Sequence, residues 1–564
     1  MASCGTHPPQ PQPEHEGHPT MLEAPARTSG RDTSADGLWI RLRAWALQHM
    51  APLWRAIAAV PPLQRLLNRA LINAAATVGP PRPHPFATVS DYTSWRSLTD
   101  RSFYARHLPT ADPPPDIPTA AQAVALFRRA EGGMRECPKS TLLFPVFAQY
   151  LTDGFLRTDM ADRQRTTSNH DIDLSPLYGR TWAQTQVLRT RDESPGRRGR
   201  LDSQELAGEE YPPFLFEADG KTLRGRYLDA EGRPILDPPL GLKPGDDGAA
   251  RQIFAVGGDR ANATPLVAML NTLLLREHNR LAAGIEAENQ CWDDERIFQT
   301  ARNCLIVIYI RIVIEEYINH ISSAIPRLAA DPSAAWTASW NRPNWMTVEF
   351  ALLYRWHSMI PESIGWEGRA VPADAMLLDN TWLTRVGMAR ALVWAAEQRV
   401  GALGLFNTPQ FLLDVEARAI AQGQANRVAR YNDYRAAMGM PRVRRFEQMT
   451  ADPERLRALR EIYGSPDRLD FYVGLFAEDV SSNTPMPPLI GRMVALDAFT
   501  QALTNPLMSR QVFNVRTFGA WGFAEVGQPQ SIAALLQRQR QRTTLPPGAS
   551  VEAIRMTRPD WVRV

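Results

Sequence analysis

From about residue 120 onward, apolar side chains recur at helical spacing, and strand-like alternation is rare. Segments 120–132, 141–157, 264–285, 293–323, 345–358, 381–400, 408–437, 453–462 and 489–504 carry the pattern. Apolar positions three and four apart form one face of a helix, and that face has to be buried against other elements. This periodicity restricts the chain to an all-α architecture of helix packed on helix. The stretch 186–250 is polar and rich in Gly, Pro and charge, so it reads as long loops. No internal repeat divides the pattern, and residues 81–564 are expected to form one large helical domain with long loops.

The N-terminal region is built differently. Residues 1–35 are rich in Pro, His, Ser, Thr and Gly and read as a disordered tail. His7, His15 and His18 lie there and read as solvated side chains. In 36–80, Leu38, Trp39, Leu42, Trp45, Leu53, Trp54 and Ile57 recur at helical spacing, and Leu63, Leu66, Leu67 and Leu71 continue the pattern. Arg41, Arg43, Arg55, Arg65 and Arg69 lie between them with little acid opposite. Trp and Leu on one side and Arg on the other suit a membrane surface. The same pattern suits a helix pair packed on the main domain.

Composition excludes several classes. A net charge of +3 gives no broad nucleic-acid footprint. Cys4, Cys137, Cys291 and Cys304 form no CxxC pair, so neither a zinc site nor a disulfide framework is indicated. No basic start followed by an apolar core marks a secretory signal, and the expected location is cytoplasmic or peripheral to a membrane. No run of about 18 uncharged apolar residues calls for a spanning helix. The sequence leaves the oligomeric state open, a homo-oligomer included.

The chemistry concentrates in Glu349-Phe-Ala-Leu-Leu-Tyr354-Arg-Trp-His357-Ser, where an oxidisable phenol and a strong metal ligand stand three apart in an apolar run. That spacing puts both on one face of a helix. Neutral imidazole is an axial ligand for haem iron, and a Tyr one turn away could hold a radical. Taken alone, the pair reads as a core His and a core Tyr. Elsewhere, Gln149 and Asp153 are four apart on the helix near 141–157, Gly258-Asp259-Arg260 precedes Thr272-Leu-Leu-Leu-Arg276-Glu277-His278-Asn279-Arg280, and Asp470-Phe-Tyr472 follows later.

In this order, the motifs resemble the haem-containing cyclooxygenase–peroxidase superfamily, over about Asp91 to Phe518. Asp91-Tyr-Thr-Ser-Trp95 resembles the start of the catalytic domain, and Asp173-Leu-Ser-Pro-Leu-Tyr178-Gly179 the loop after the distal helix. Leu273 to Leu281 resembles the helix that carries Arg-Glu-His-Asn-Arg. Phe350 to His357 resembles the proximal helix of the dioxygenase branch, since myeloperoxidase-like members keep the His but not the Tyr. The resemblance implies His357 as proximal haem ligand and Tyr354 as the tyrosine whose radical takes hydrogen from a fatty acid. It implies Tyr317 as that tyrosine's hydrogen-bond partner and Tyr472 as a support for the haem ligand. Phe350, Leu353, Trp356 and Thr500 would line the substrate channel, and Gln149 would be the distal glutamine.

Four departures qualify this. Asp153 stands where family peroxidases keep a distal His, so peroxide cleavage is expected to be weak or altered. Arg260 falls where the myeloperoxidase branch keeps its distal arginine, a position that also suits a haem-propionate or surface salt bridge. Asn262-Ala263-Thr264 lacks the acid and Met that would bond haem covalently, so non-covalent haem b is expected. Calcium is the less favoured addition, because Gly154 replaces the acid after the distal His and leaves Asn169, Asp173 and Ser175 as oxygen donors. Gly79, Ala324 and Val494 stand where prostaglandin synthases anchor the substrate carboxylate with polar side chains, with Arg82 near the first. The membrane-binding helices of those enzymes lie where 36–80 lies here. The expectation is a haem-dependent lipid dioxygenase using O2 and a hydrophobic substrate. The alternatives are a peroxidase or peroxygenase acting on small organic molecules, and a haem-binding protein with weakened catalysis.

Overall fold

In the computed structural model, the described residues are 42, 45–80, 82–114, 116–539 and 545–564. The expected tail 1–35 lies outside them, as do residues 36–41, 43 and 44 of the amphipathic segment. The helices that position the site are α1 (Ala51–Ala58), α2 (Pro61–Ala76), α3 (Leu143–Asp153), α4 (Pro265–Glu288), α5 (Asp294–Ile312), α6 (Val348–Leu353), α7 (Leu413–Ala425), α8 (Phe471–Ala477) and α9 (Pro488–Leu503). Strands among the described residues form four two-stranded antiparallel ribbons. One pairs Glu136–Thr141 with Arg399–Gly401 and leads directly into α3.

Helices α4 and α5 pack side by side and form the centre of the core. Thr264 caps α4 by accepting from the Val267 N–H, and Pro265 follows where a missing N–H costs nothing. The Arg-Glu-His-Asn-Arg segment of α4 ties down loops. Arg276 donates to Glu209 and to the Glu210 carbonyl, and the His278 ring meets the Tyr178 hydroxyl and the Gly199 carbonyl at 2.8 and 2.9 Å. Helix α5 continues through a π-helical turn, Val313–Ile318, to Ile321. The whole run 294–321 is long and apolar enough to cross a bilayer, but 78% of its most apolar window is buried inside the fold. Packing accounts for its hydropathy.

Helix α2 serves two surfaces. Asn68, Ile72 and Ala76 are buried, and the helix packs on α9. Leu63 and Leu66 point outward at 49% and 67% exposure, beside exposed Leu53 and Trp45. Helix α1 buries none of its residues. The predicted 345–358 helix is the clearest correction. It ends at Leu353, Tyr354 and Trp356 have non-helical ψ values of 36° and 42°, and His357 begins a separate 3₁₀ turn. Side-chain donors explain the break. The Arg355 Nε takes the Ala351 carbonyl at 3.0 Å, and the Trp356 indole N–H takes the Leu353 carbonyl at 2.9 Å. In a continuous helix, those carbonyls would accept the backbone N–H groups of Arg355 and His357. Segments 381–400 and 408–437 likewise split, into Thr381–Val386 with Met388–Glu397 and α7 with Tyr431–Ala437.

Candidate active site

Tyr354, Arg355 and His357 follow the break after α6 and keep partial exposure, whereas Leu352, Leu353, Ser358 and Met359 are buried. Gln149 on α3 is likewise part-exposed between buried neighbours. The His357 imidazole makes no hydrogen bond among the described residues. Its Nδ1 lies 3.2 Å from the Glu416 Oε1, off the line that a hydrogen bond needs. Glu416 is buried in the first turn of α7. Its Oε1 accepts from the Thr408 hydroxyl at 2.9 Å, and its Oε2 from the Tyr472 hydroxyl of α8. A carboxylate at Nδ1 fixes the tautomer that leaves Nε2 free for a metal. Glu416 is absent from the sequence reading, where an acid in the first turn of an amphipathic helix looks like an ordinary dipole partner. Tyr472 is the expected support for the haem ligand, and its hydroxyl donates to Glu416, the carboxylate beside His357.

The phenol end is an aromatic stack. Tyr354 lies 4.5 Å from Phe350 and 4.8 Å from Trp356, ring centre to ring centre. Phe144 of α3 stacks on Trp356 and Tyr317 at 5.5 and 5.4 Å, joining the distal helix to the Tyr354 segment. Tyr317 sits on the π-helical turn. Its hydroxyl is buried without a well-formed hydrogen bond, although it is close enough to the Tyr354 hydroxyl for each to shift the other's ionisation. Burial first, then the charge of Asp497, pushes the Tyr354 phenol well above its ordinary range. Leu353 is buried in the core. Thr500 is buried on α9, and its hydroxyl is spent on the Leu496 and Asp497 carbonyls.

On α3, Asp153 is buried and its Oδ2 has no hydrogen-bond partner among the described residues. Burial, opposed by the nearby Arg260, raises its carboxyl to about 7. The expected value for this side chain was near 4 unless burial intervened, and burial intervenes. Arg260 donates to the Leu156 carbonyl at 3.0 Å and has no carboxylate partner among the described residues, whereas its neighbour Asp259 pairs with Arg157 at 2.7 Å. Arg355 also lacks an acid partner, with its Nη2 on Gln422 at 3.2 Å. Asn262 is spent on structure, bonded to both backbone groups of Phe254 and to Asn380. Asn169 donates to Asp173, whose other oxygen accepts from the Ser175 N–H, so these oxygens brace a loop. Among the described residues, no group of three or more His, Cys, Asp or Glu side chains is arranged to hold a metal ion.

These residues fit haem. They offer one imidazole with a carboxylate behind it, two acid-free arginines to meet propionates, and a titrating acid with a glutamine one turn away. Beyond Tyr317 lies a cavity of about 350 Å³ between α2, the end of the α5 run and α9. Ile318, Ile321, Val494 and Phe499 line it with Ser322, Ser323 and Ala324. Ala324 and Val494 therefore stand in its wall as apolar positions. At Gly79, the place of a Cβ lies 2.4 Å from Leu496 Cδ2, so a long polar side chain has no room there.

A sequence model of the animal haem peroxidase family matches residues 138–502. Prostaglandin G/H synthase 1 of Mus musculus is 30% identical over 490 residues, covering 84% of this chain and 76% of the relative. The Rattus norvegicus protein of the same name is 29% identical over 87% of this chain and 81% of its own length. In fold, the chain is similar to the fatty acid alpha-dioxygenase of Oryza sativa, with TM-score 0.64, 16% identity, and coverage of 89% of this chain and 96% of the other. It is also similar to peroxidase A of Dictyostelium discoideum, with TM-score 0.61, 19% identity, and coverage of 81% and 94%. The chain belongs to the animal haem peroxidase family of haem-dependent oxidoreductases, on its prostaglandin synthase side.

Proposed function

We propose that the protein is a haem-dependent dioxygenase that oxygenates a fatty acid or a related lipid through a radical on Tyr354. The observation that carries this reading is the setting of that phenol. It is three residues from an imidazole backed by Glu416, stacked on Trp356 and Phe350, and beside Tyr317, whose π-helical turn leads to Ile318 and Ile321 in the apolar cavity wall. His357 would hold the iron, and Arg260 and Arg355 the propionates, of a haem b without covalent links. That haem, when bound, supplies an iron centre able to break a peroxide bond and to take an electron from a phenol.

The protein residues do the rest. Asp153 takes the proton of a hydroperoxide and returns it to the departing oxygen, a task suited to a group titrating near neutrality. Gln149, one turn away, orients the peroxide. Tyr354 gives up an electron and its phenolic proton. The resulting radical takes a hydrogen atom from a substrate C–H bond and becomes a phenol again. O2 adds to the carbon radical, and the peroxyl radical takes that hydrogen atom back from the phenol, giving a hydroperoxide and restoring the radical on Tyr354. Phe350, Trp356 and Leu353 hold the substrate carbon at the phenol and keep water away. The exposed face of Leu53, Leu63 and Leu66 supports peripheral binding to a membrane from which such a substrate would come.

The near-neutral Asp153 with Arg260 beside it also favours a second reading, a peroxidase acting on small organic molecules. Oxygen uptake by the haem-loaded protein with a panel of fatty acids, measured beside a peroxide-driven dye oxidation, separates the two. Uptake that vanishes in Tyr354→Phe supports the dioxygenase. Dye turnover that survives in Tyr354→Phe with no uptake in the parent supports the peroxidase. Neither activity, with haem fully bound, leaves a haem-binding protein without these reactions.

A further inference from the structure

Among the described residues, the cavity beside Tyr317 has no charged side chain in its wall, yet two cations stand behind one rim of it. Lys139, on the strand that leads into α3, is only 3% exposed. Its Nζ is 2.6 Å from the Asn483 carbonyl and 3.2 Å from the Ser322 carbonyl, and it lies 4.8 Å from the centre of the Trp561 ring. Arg563 also lies over the Trp561 ring, 5.6 Å from its centre, and reaches the same rim. Its Nη1 donates to the Ser323 carbonyl at 2.5 Å and its Nη2 to the Ala324 carbonyl at 3.5 Å. Ser322, Ser323 and Ala324 all line the cavity, as do Ser481 and Thr484 on either side of Asn483.

Neither cation has a carboxylate within ion-pair distance among the described residues. The nearest acidic side chains in sequence, Glu136 and Asp560, are held by Arg399 and Arg558, and a main-chain oxygen of Val564 accepts from the Asn483 amide at 2.8 Å. A buried lysine without a counter-charge is rare, because removing an ammonium from water is costly unless an anion replaces the lost solvation. Here the cost is visible. Burial, with the repulsion of Arg563, lowers the Lys139 ammonium to about 7. An anion at the Ser322–Ala324 rim would relieve both cations at once, and the flanking hydroxyls could donate to it. Apart from Gln48, the rest of the wall, including Leu71, Ala75, Ile318, Ile321, Leu328 and Phe499, is apolar and suits hydrocarbon. About 350 Å³ is near the lower end for ligand cavities and suits one acyl chain better than two.

We propose that Lys139 and Arg563 together receive the anionic headgroup of a single-chain lipid whose tail lies in this cavity. The positions that resemblance would assign to this task, Gly79, Ala324 and Val494, are apolar. The charge comes instead from the strand before α3 and from the segment 557–564. This assignment rests on the lipid reading above and makes it more specific. A carboxylate and a phosphate monoester present the same chemistry to this pair.

The test is equilibrium binding to the full, haem-loaded chain, with oleate, methyl oleate and oleoyl lysophosphatidate as probes. Oleate is expected to bind about tenfold or more tighter than its methyl ester, the scale of one charge-assisted contact. Lys139→Met and Arg563→Gln are each expected to erase most of that preference without changing the affinity for methyl oleate. Lys139→Arg, which keeps the charge, should retain the preference, and this separates loss of charge from loss of fold. Lysophosphatidate binding tighter than oleate, with the same loss in both variants, supports the proposal with phosphate as the source of the anion. Equal binding of oleate and its ester, or a preference that survives both substitutions, overturns the headgroup assignment and leaves the lipid reading standing. No binding of any of the three overturns both.

Discussion

Asp153 shows how environment decides what one residue can do. Unfolded, its carboxyl ionises near 3.8, whereas in the fold burial holds its proton to about 7. Between those values the folded state binds the extra proton, so stability falls as pH rises, and the loss is complete above about 7. The penalty at pH 8 is on the order of 4 kcal/mol. Asp153→Asn is therefore expected to raise the melting temperature at pH 8 and to leave it unchanged at pH 3.5. Equal shifts at both pH values would contradict the assigned cause. The same substitution should lower peroxide cleavage about a hundredfold or more, because amide nitrogen cannot shuttle the proton, and the parent rate should climb as pH passes about 7. Glu416 makes the complementary case on the other side. Glu416→Gln removes the charge behind His357, and haem titration should show affinity weakened roughly 10- to 100-fold, with Thr408 and α7 still in place. His357 and Tyr354 were legible because their spacing within an apolar run is itself a signal. Glu416 was not, because only the folding of α7 beneath 354–357 turns a helix-start acid into a partner for imidazole.

At the scale of elements, periodicity found the helices but not where they break. The apolar pattern runs unbroken through 345–358, and nothing in it records that Arg355 and Trp356 donate to carbonyls which the next backbone N–H groups would need. Those two bonds turn one expected helix into α6, a bend and a 3₁₀ turn. Tyr354 then packs flat on Trp356 instead of sitting one turn above His357. Trp356→Phe keeps the ring but removes the indole donor. It is expected to cost about 1–3 kcal/mol in urea denaturation, the penalty for an unsatisfied buried carbonyl. No change would mean that the bend is held by stacking alone. Helix α2 gives the opposite lesson, since its pattern suited both a membrane face and a packing face and the helix has both. Ile72 and Ala76 are buried, while Leu63 and Leu66 are exposed. Replacing both exposed leucines with Asp should leave the fold intact and sharply reduce sedimentation with anionic vesicles. Undiminished sedimentation would rule out this face as the contact.

Across the whole molecule, the site is assembled from segments far apart in sequence, and the most consequential join is a buried charge pair. Arg82, in the segment after α2, meets Asp497 on α9 at 3.4 Å, with both side chains nearly inaccessible. His107 Nε2 stands 3.7 Å from the same carboxylate oxygen, and His84 packs edge-on against His107 at 4.8 Å. The pair is poorly compensated. Burial outweighs the pull of Asp497 and lowers Arg82 to about 10, and burial, with the repulsion of His107 and Arg82, keeps His84 well below its ordinary range and so neutral. Sequence could not reveal this pairing, because 415 residues separate its partners, and Arg82 reads there as a candidate substitute for the lost carboxylate anchor. The charge of Asp497 also reaches Tyr354 and helps to keep the phenol protonated, so the join between α9 and the N-terminal segment bears on that phenol as well. A buried pair of this kind fixes which segments meet more than it adds net stability. Asp497→Ala leaves the guanidinium buried and unopposed, and is expected to cost about 3–5 kcal/mol in chemical denaturation. Changing both residues, Arg82→Met with Asp497→Leu, should recover most of that loss, because the desolvation cost of each charge disappears along with the attraction. A double variant as unstable as the single one would show that the contact matters for its charge and not only for the fit of α9 against residues 82–107.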